Sequence, residues 1–202
     1  MGFVLPKIQC GRDDVNMNKI KKVLIVGCPG SGKTFFSNKL SKLSGIAVYH
    51  LDDFFWEKGW KNKSPKEWIK IQEKLLAKDE FIIDGNYLKD LEFRINHAKT
   101  IIYMDAGLIR CLLGFTKRTV KNFIGKDIDL PRKVRKQKHY KITANGFFSF
   151  CKYIIDFHLF QKKEVSALLS KYKASKKIIV LRSKQDVSKY LESFSIDHYD
   201  RV

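Results

Sequence analysis

Gly27-Cys28-Pro29-Gly30-Ser31-Gly32-Lys33-Thr34 decides the fold. The apolar, β-branched run Lys22-Val23-Leu24-Ile25-Val26 precedes it, and in the stretch that follows Phe36, Leu40 and Leu43 recur at helical spacing. Strand, glycine-rich turn and helix together form the context in which the pattern G-x-x-x-x-G-K-[ST] has a mechanism. Gly27, Gly30 and Gly32, with Ser31 between the last two, let successive backbone N–H groups curl around phosphate oxygens. The helix N-terminus adds partial positive charge. Lys33 is spaced to reach the β- and γ-phosphates, and the Thr34 hydroxyl to ligate Mg²⁺. The stretch therefore implies binding of ATP with Mg²⁺.

The remaining composition bounds the class. At 202 residues, with 44% hydrophobic and 13% aromatic content, the chain suits one α/β domain with a sizeable core. We expect residues 1–16 to be a disordered extension and residues 17–202 a single domain, with Met17 a second candidate start. A formal charge of +19 favours phosphates, nucleic acid or acidic surfaces through steering, and equally fits a lysine-rich solvated surface. Cys10, Cys28, Cys111 and Cys151 are scattered without a C-x-x-C pair, which points to reduced thiols and a cytoplasmic location. Cys28 lies inside the phosphate loop, where it reads first as a small side chain that the turn tolerates and second as a thiol near positive charge that favours thiolate. The run Phe147 to Phe160 is broken by Lys152, Asp156 and His158, so no membrane span is expected.

Further along, Gly45 closes the first helix and Ile46–Leu51 reads as a second strand running into Asp52-Asp53-Phe54-Phe55-Trp56. Carboxylates at the carboxyl end of a strand sit where open α/β sheets place ligands, so Asp52, and Asp53 less so, are candidates to take a proton from an acceptor hydroxyl or to hold Mg²⁺ through water. Trp56 and Trp60 read either as an acceptor-pocket floor or as a loop staple. Ser64-Pro65-Lys66-Glu67 is a capping box with proline at the first helical position; Trp68, Ile71, Leu75 and Leu76 supply its buried stripe. Phe81–Tyr87 is a third strand, in which Asp84 is the first candidate to orient magnesium. Asp105, closing the strand Thr100–Met104, is the second, and periodicity does not separate them.

The helix from Leu108 should bury Leu108, Leu112, Phe115 and Thr119, leaving Arg110, Lys117, Arg118 and Lys121 on a cationic face. Arg110 and Arg118 are the candidates for phosphate or base contact. The pattern dissolves over residues 122–146, a basic segment that reads as a lid, with Arg132 and Arg135 as donors to the transferring phosphoryl group. A helix over 147–172 is expected to bury Phe148, Cys151, Ile155, Leu159, Leu168 and Leu169. Ile178–Leu181 is a fifth strand, and Ser183-x-x-Asp186 caps a last helix that should fray beyond Ser195.

Assembled, these stretches resemble the bacterial topology-modulation (FlaR-like) proteins, a branch of the P-loop kinases related to adenylate kinase. The resemblance rests on Gly27–Thr34, His50-Leu51-Asp52 with Phe55-Trp56 and Gly59-Trp60, Ile83-Asp84-Gly85-Asn86-Tyr87, Ile101–Asp105, Arg110 to Arg118, and Leu181-Arg182-Ser183. It implies an α/β P-loop fold, a parallel sheet of five strands in the order 2-3-1-4-5 with helices on both faces and a lid. That order favours Asp84 over Asp105 for the magnesium. Asn86-Tyr87 stands where adenylate kinases carry Phe-Pro-Arg, so the arginine that grips a nucleoside monophosphate is missing there.

The function expected from this reading is an ATP- and Mg²⁺-dependent phosphotransferase acting on a small acceptor, with a nucleoside or nucleotide among the candidates, in a monomer or homodimer. Lys33, Asp52, Arg118, Arg132 and Arg135 are the catalytic candidates, and Thr34 and Asp84 the metal ligands. The rival is a nucleic-acid-associated NTPase that uses ATP as a switch, supported by the net charge and the basic Arg132–Lys141 segment. A nucleotide-binding pseudoenzyme is a third reading.

Overall fold

A computed structural model describes residues 20–124, 131 and 143–199. The apolar runs become strands β1 (Lys22–Gly27), β2 (Val48–His50), β3 (Phe81–Asp84), β4 (Thr100–Met104) and β5 (Lys177–Leu181). They form one five-stranded sheet in the order β2-β3-β1-β4-β5, every pairing parallel. The helices are α1 (Lys33–Ser44), α2 (Leu51–Phe55), α3 (Pro65–Leu76), α4 (Leu91–His97), α5 (Leu108–Phe123), α6 (Ala144–Asp156), α7 (Lys162–Lys171) and α8 (Lys184–Tyr199). A π-helical turn, Phe157–Gln161, joins α6 to α7.

The sheet is covered on both faces, which is why its strands read as unbroken apolar runs. Successive side chains of a strand point to opposite faces. Leu24 and Val26 of β1 accordingly join one buried cluster with Ile83, Ile101, Tyr103 and Val180, roofed by Trp68, Ile95, Phe115, Ile154 and Leu169. Val23 and Ile25 join the other with Ile82, Ile102 and Ile179, covered by Phe36 and Leu40 of α1 and by Tyr190, Leu191 and Phe194 of α8. Phe36 and Phe194 are fully buried; truncating either to alanine would cost about 3–5 kcal/mol.

Register decides what meets at the ligand edge. Asp84 lies opposite Ile25 on one side and His50 on the other, and Gly27 lies opposite Met104. The phosphate loop, Asp84, His50 and the start of α2 therefore share one edge, the carboxyl ends of the strands, where open α/β sheets bind ligands.

Several expected elements differ in extent. The second strand is shorter than Ile46–Leu51, because Leu51 to Phe55 turns into α2 and carries Asp52 and Asp53 on a helix. The third ends at Asp84 rather than Tyr87: Gly85 takes φ 151° and Tyr87 φ 37°, both outside strand geometry. The helix expected over 147–172 begins at Ala144, where Thr143 Oγ1 accepts from Gly146 N at 3.1 Å. Its buried stripe also shifts. Phe148, Ile155 and Leu159 are exposed, Ile154, Phe157 and Val165 are buried in their place, and Leu169 is buried as expected. A π turn interrupts the pitch of the segment, so a single helical phase does not carry from one end to the other. In α5 the fully buried residues are Cys111 and Phe115, while Leu108, Leu112 and Thr119 are only half-buried. The last helix continues past Ser195 to Tyr199, with the expected Ser183–Asp186 cap in place: Asp186 N donates to Ser183 Oγ at 3.0 Å.

Candidate functional site

The loop between β1 and α1 is shaped by glycines that no other residue could replace in place. Gly30 has φ 78°, and a Cβ there would sit 2.0 Å from the Cys111 carbonyl oxygen. A Cβ on Gly114 would meet Gly30 O at 2.2 Å, so loop and α5 touch backbone to backbone. Gly32 has φ 98° with nothing within 4 Å of where its Cβ would be, which leaves the inner face of the loop open. Asn86 Oδ1 accepts from Gly27 N at 2.9 Å and anchors the loop's start. Lys33 Nζ folds back onto Cys28 O at 3.1 Å. Ser31 Oγ is buried without a hydrogen-bond partner among the described residues. An open ring of amides, an orphaned hydroxyl and a lysine parked on a carbonyl form a cradle that fits a polyphosphate.

Beside it, Thr34 Oγ1 donates to Asp84 Oδ2 at 3.1 Å and Ser37 Oγ approaches the same oxygen at 3.5 Å. His50 Nδ1 lies 3.0 Å from Asp84 Oδ2 while its Nε2 lies 3.2 Å from Asn38 Oδ1. Hydroxyl and carboxylate oxygens are the hard donors that Mg²⁺ selects, so this pair of residues fits the ion. Asp105 is engaged elsewhere, between Lys162 Nζ at 2.7 Å and Arg182 Nε at 3.3 Å.

Opposite the loop, Asp52 Oδ1 accepts from the Tyr87 hydroxyl at 2.6 Å. Tyr87 packs between Phe55 and Trp68, with ring centroids 4.6 and 4.9 Å away. The Asp52 side chain is exposed to the cleft, yet protein atoms ring it closely. That desolvation raises its pKa, with Asp84 adding to the effect; the Tyr87 hydrogen bond, Lys33 and Arg118 oppose it. Access to water tempers the shift, and its upward direction makes the carboxylate a better proton acceptor. The Tyr87 phenol is pushed up by burial first and by the Asp52 charge next, so it stays a donor.

The conformation of residues 86–87 is held from beneath by Arg94. Its guanidinium, fully buried, donates to Gln72 Oε1 at 2.6 Å, to Tyr87 O at 3.0 Å and to Asn86 O. Burial lowers its pKa to about 10, leaving it charged at neutral pH. Trp68 Nε1 and Gln72 Nε2 both reach Asp90 Oδ2, at 2.7 and 3.3 Å, and complete the wall. Trp56 and Trp60 stack edge to face at 5.1 Å, with Trp56 also edge-on to Phe55.

On the far side of the loop an apolar cleft of about 1130 Å³ opens between Phe35, Ile109, Arg110, Leu113, Lys117 and Lys184. Arg110 Nη1 donates to Arg182 O at 3.2 Å. Arg118 lies over the Phe115 ring at 5.9 Å.

Of the residues the sequence singled out, the structure brings Gly27, Gly30, Ser31, Gly32, Lys33, Thr34, Asp84 and Asp52 to one edge of the sheet. Arg110 lines the apolar cleft together with Gly30, Ser31 and Gly32 of the loop. Arg132 and Arg135, with residues 125–130 and 132–142 of the expected lid and the extension 1–16, lie outside the described residues. Sequence reasoning missed His50 and Arg94 as working side chains. Arg94 carried a usable signal, a lone cation between Leu91 and Ile95 on an apolar helix face; His50 had none, since its role depends on strand register. The π turn also brings His158 against two cysteines: its Nδ1 lies 3.7 Å from Cys28 Sγ, and Cys111 packs beside them. Cys111 Sγ donates to Ala106 O at 3.7 Å, and the proximity of the two thiols pushes the pKa of Cys28 up and that of Cys111 down.

No family profile matches the chain, and no curated protein matches it in sequence. Among solved structures, shikimate kinase from Acinetobacter baumannii, in complex with shikimate, superposes with a TM-score of 0.50 at 9% identity over 91% of this chain and 96% of that one. A gluconokinase from Sinorhizobium meliloti 1021 follows with a TM-score of 0.47 at 9% identity, over 89% and 94%. The fold is thus that of the P-loop kinases, and the strand order agrees. Among the described residues no helix is long and apolar enough to cross a membrane.

Proposed function

We propose that the chain is an ATP- and Mg²⁺-dependent phosphotransferase whose small acceptor offers a hydroxyl. The observation that carries the reading is the hydrogen bond from Thr34 Oγ1 to Asp84 Oδ2 at 3.1 Å, directly beneath an open phosphate loop. Thr34 and Asp84 would hold Mg²⁺, which when bound supplies charge neutralisation at the phosphate oxygens. Lys33 exchanges its bond to Cys28 O for a phosphate oxygen, and the loop amides and Ser31 Oγ bind the oxygens around it. The apolar cleft beside Phe35 and Arg110 accepts the nucleotide base.

Asp52 takes the proton of the acceptor hydroxyl, with Tyr87 fixing the carboxylate and Phe55, Trp68 and Tyr87 excluding water beside it. A hydroxyl acceptor is preferred to a phosphate because the wall opposite the loop presents a carboxylate of raised pKa among aromatic rings. Arg118 lies close enough to Asp52 to lower its pKa and would compensate negative charge. The resemblance to the topology-modulation family stays compatible with this chemistry.

Screening nucleosides, nucleotides and sugars for stimulated ADP release, with Lys33→Ala as the blank, tests the reading. We expect a hydroxyl compound to stimulate the chain and not the variant. Stimulation by none of them, with steeply salt-dependent duplex binding that ATP alters, would replace the kinase with a nucleic-acid-associated switch.

A further inference from the structure

Cys28, Cys111 and His158 come from three separate segments, the phosphate loop, α5 and the π turn after α6, and their ligating atoms all lie within 4.8 Å of one another. Both cysteines are buried and unpaired as disulfides, and the histidine is half-buried. From the juxtaposition of these two thiols and one imidazole we propose a binding site for a borderline-soft divalent cation, zinc by class, built into the underside of the phosphate loop.

Zn²⁺ is bound at about 2.3 Å by thiolate and about 2.0–2.1 Å by imidazole, in tetrahedral sites whose donor-to-donor edges are then roughly 3.5–3.8 Å. Cys28 Sγ and His158 Nδ1 are already 3.7 Å apart. The third donor needs a shift of no more than about an ångström to close a tetrahedral face of that size. The other imidazole nitrogen is oriented as in known sites of this class: Nε2 lies 3.1 Å from Ala106 O and can donate to it, which would leave Nδ1 to the metal. Nδ1 also lies 2.9 Å from Ile154 O, a bond the metal would replace. That carbonyl keeps a partner, because it accepts from Phe157 N as well. Ligation releases the two thiol protons to solvent, while the neutral imidazole carries its single proton on Nε2, with no change in oxidation state. The fourth position is left to water or a small anion.

The consequence is mechanical. Cys28 O is the acceptor on which Lys33 rests, and Gly30 abuts Cys111 and Gly114. A cation on Cys28 and Cys111 ties the loop to α5 on the side away from the phosphates. The proposal does not depend on the phosphotransfer reading, and its test needs no turnover.

The full-length chain, kept reduced with a phosphine, is titrated with Co²⁺ and then with Zn²⁺ in competition, followed by the thiolate-to-cobalt absorption. One equivalent should develop the band and raise Tm. The band should vanish in Cys111→Ala and persist in Cys10→Ser/Cys151→Ser. His158→Gln, which keeps both thiols, should weaken affinity about tenfold or more. Circular dichroism establishes that each variant is folded, and His158→Gln decides the matter should Cys111→Ala fail to fold. Absence of the band in the reduced wild-type chain, its persistence in Cys111→Ala, its loss in the Cys10/Cys151 variant, or unchanged affinity in His158→Gln would each overturn the proposal.

Discussion

The two walls of the cleft are made of different material. The phosphate loop is a main-chain object: glycines at positive φ with a helix N-terminus behind them. The acceptor wall is a side-chain object, in which Asp52, Phe55, Trp68, Tyr87, Asp90 and Arg94 arrive from α2, α3, α4 and the turn after β3. A main-chain site recognises what all nucleotides share, whereas a side-chain site can be re-cut for one acceptor. On the proposed function, the difference puts specificity in the wall: damage to the loop should abolish binding of every nucleotide, and damage to the wall should be selective.

The largest selective effect is expected at Asp52. Asp52→Asn should lower kcat with a hydroxyl acceptor about 10²–10⁴-fold, leave ATP binding nearly intact, and remove the acidic limb of the pH–rate profile. That limb should lie above the ordinary carboxylate range, since the Asp52 pKa is raised. The same shift has a sign for stability. A carboxyl whose folded pKa is raised is better tolerated protonated, so its ionisation weakens the fold as pH rises through that pKa. Asp52→Asn should therefore raise Tm at neutral pH, and the gain should vanish below the unfolded carboxylate range. A loss of Tm at neutral pH would show that the charge is stabilising.

Next comes Arg94. Arg94→Met leaves the carbonyls of Asn86 and Tyr87 and the Gln72 side chain without their buried donor, a loss of about 3 kcal/mol measurable in urea. Acceptor KM should rise more than the KM for ATP; equal changes would erase the distinction between the two walls.

How much of this was legible before folding follows from the same division. The loop reads directly because its eight residues are consecutive, and Thr34 and Asp84 follow once the strand order places β3 beside β1. The five strands were likewise readable, since strands buried on both faces leave continuous apolar runs, whereas their order came only from the family resemblance. The acceptor wall was not, because its contacts join residues as distant as Asp52 and Tyr87, and Gln72 and Arg94. His50 meets Asp84 only through the register of β2 on β3. The phase of α6 escaped for a different reason, the π turn that interrupts the pitch before α7, where Leu169 was read correctly as core.

The smallest effect sharpens the comparison most finely. Tyr87→Phe removes one hydrogen bond to Asp52, about 1 kcal/mol, and with it an influence that lowers the Asp52 pKa. The acidic limb should move to higher pH with ATP binding unchanged. A limb that stays in place would separate Tyr87 from the proton-accepting group.

Titration calorimetry of ATP with Mg²⁺ tests the central claim, that the loop and its neighbours Lys33, Thr34 and Asp84 hold a magnesium–polyphosphate. Saturable heat is predicted, reduced when Mg²⁺ is chelated and lost in Lys33→Ala. The absence of heat even at millimolar ATP, or equal heat in wild type and Lys33→Ala, would contradict it.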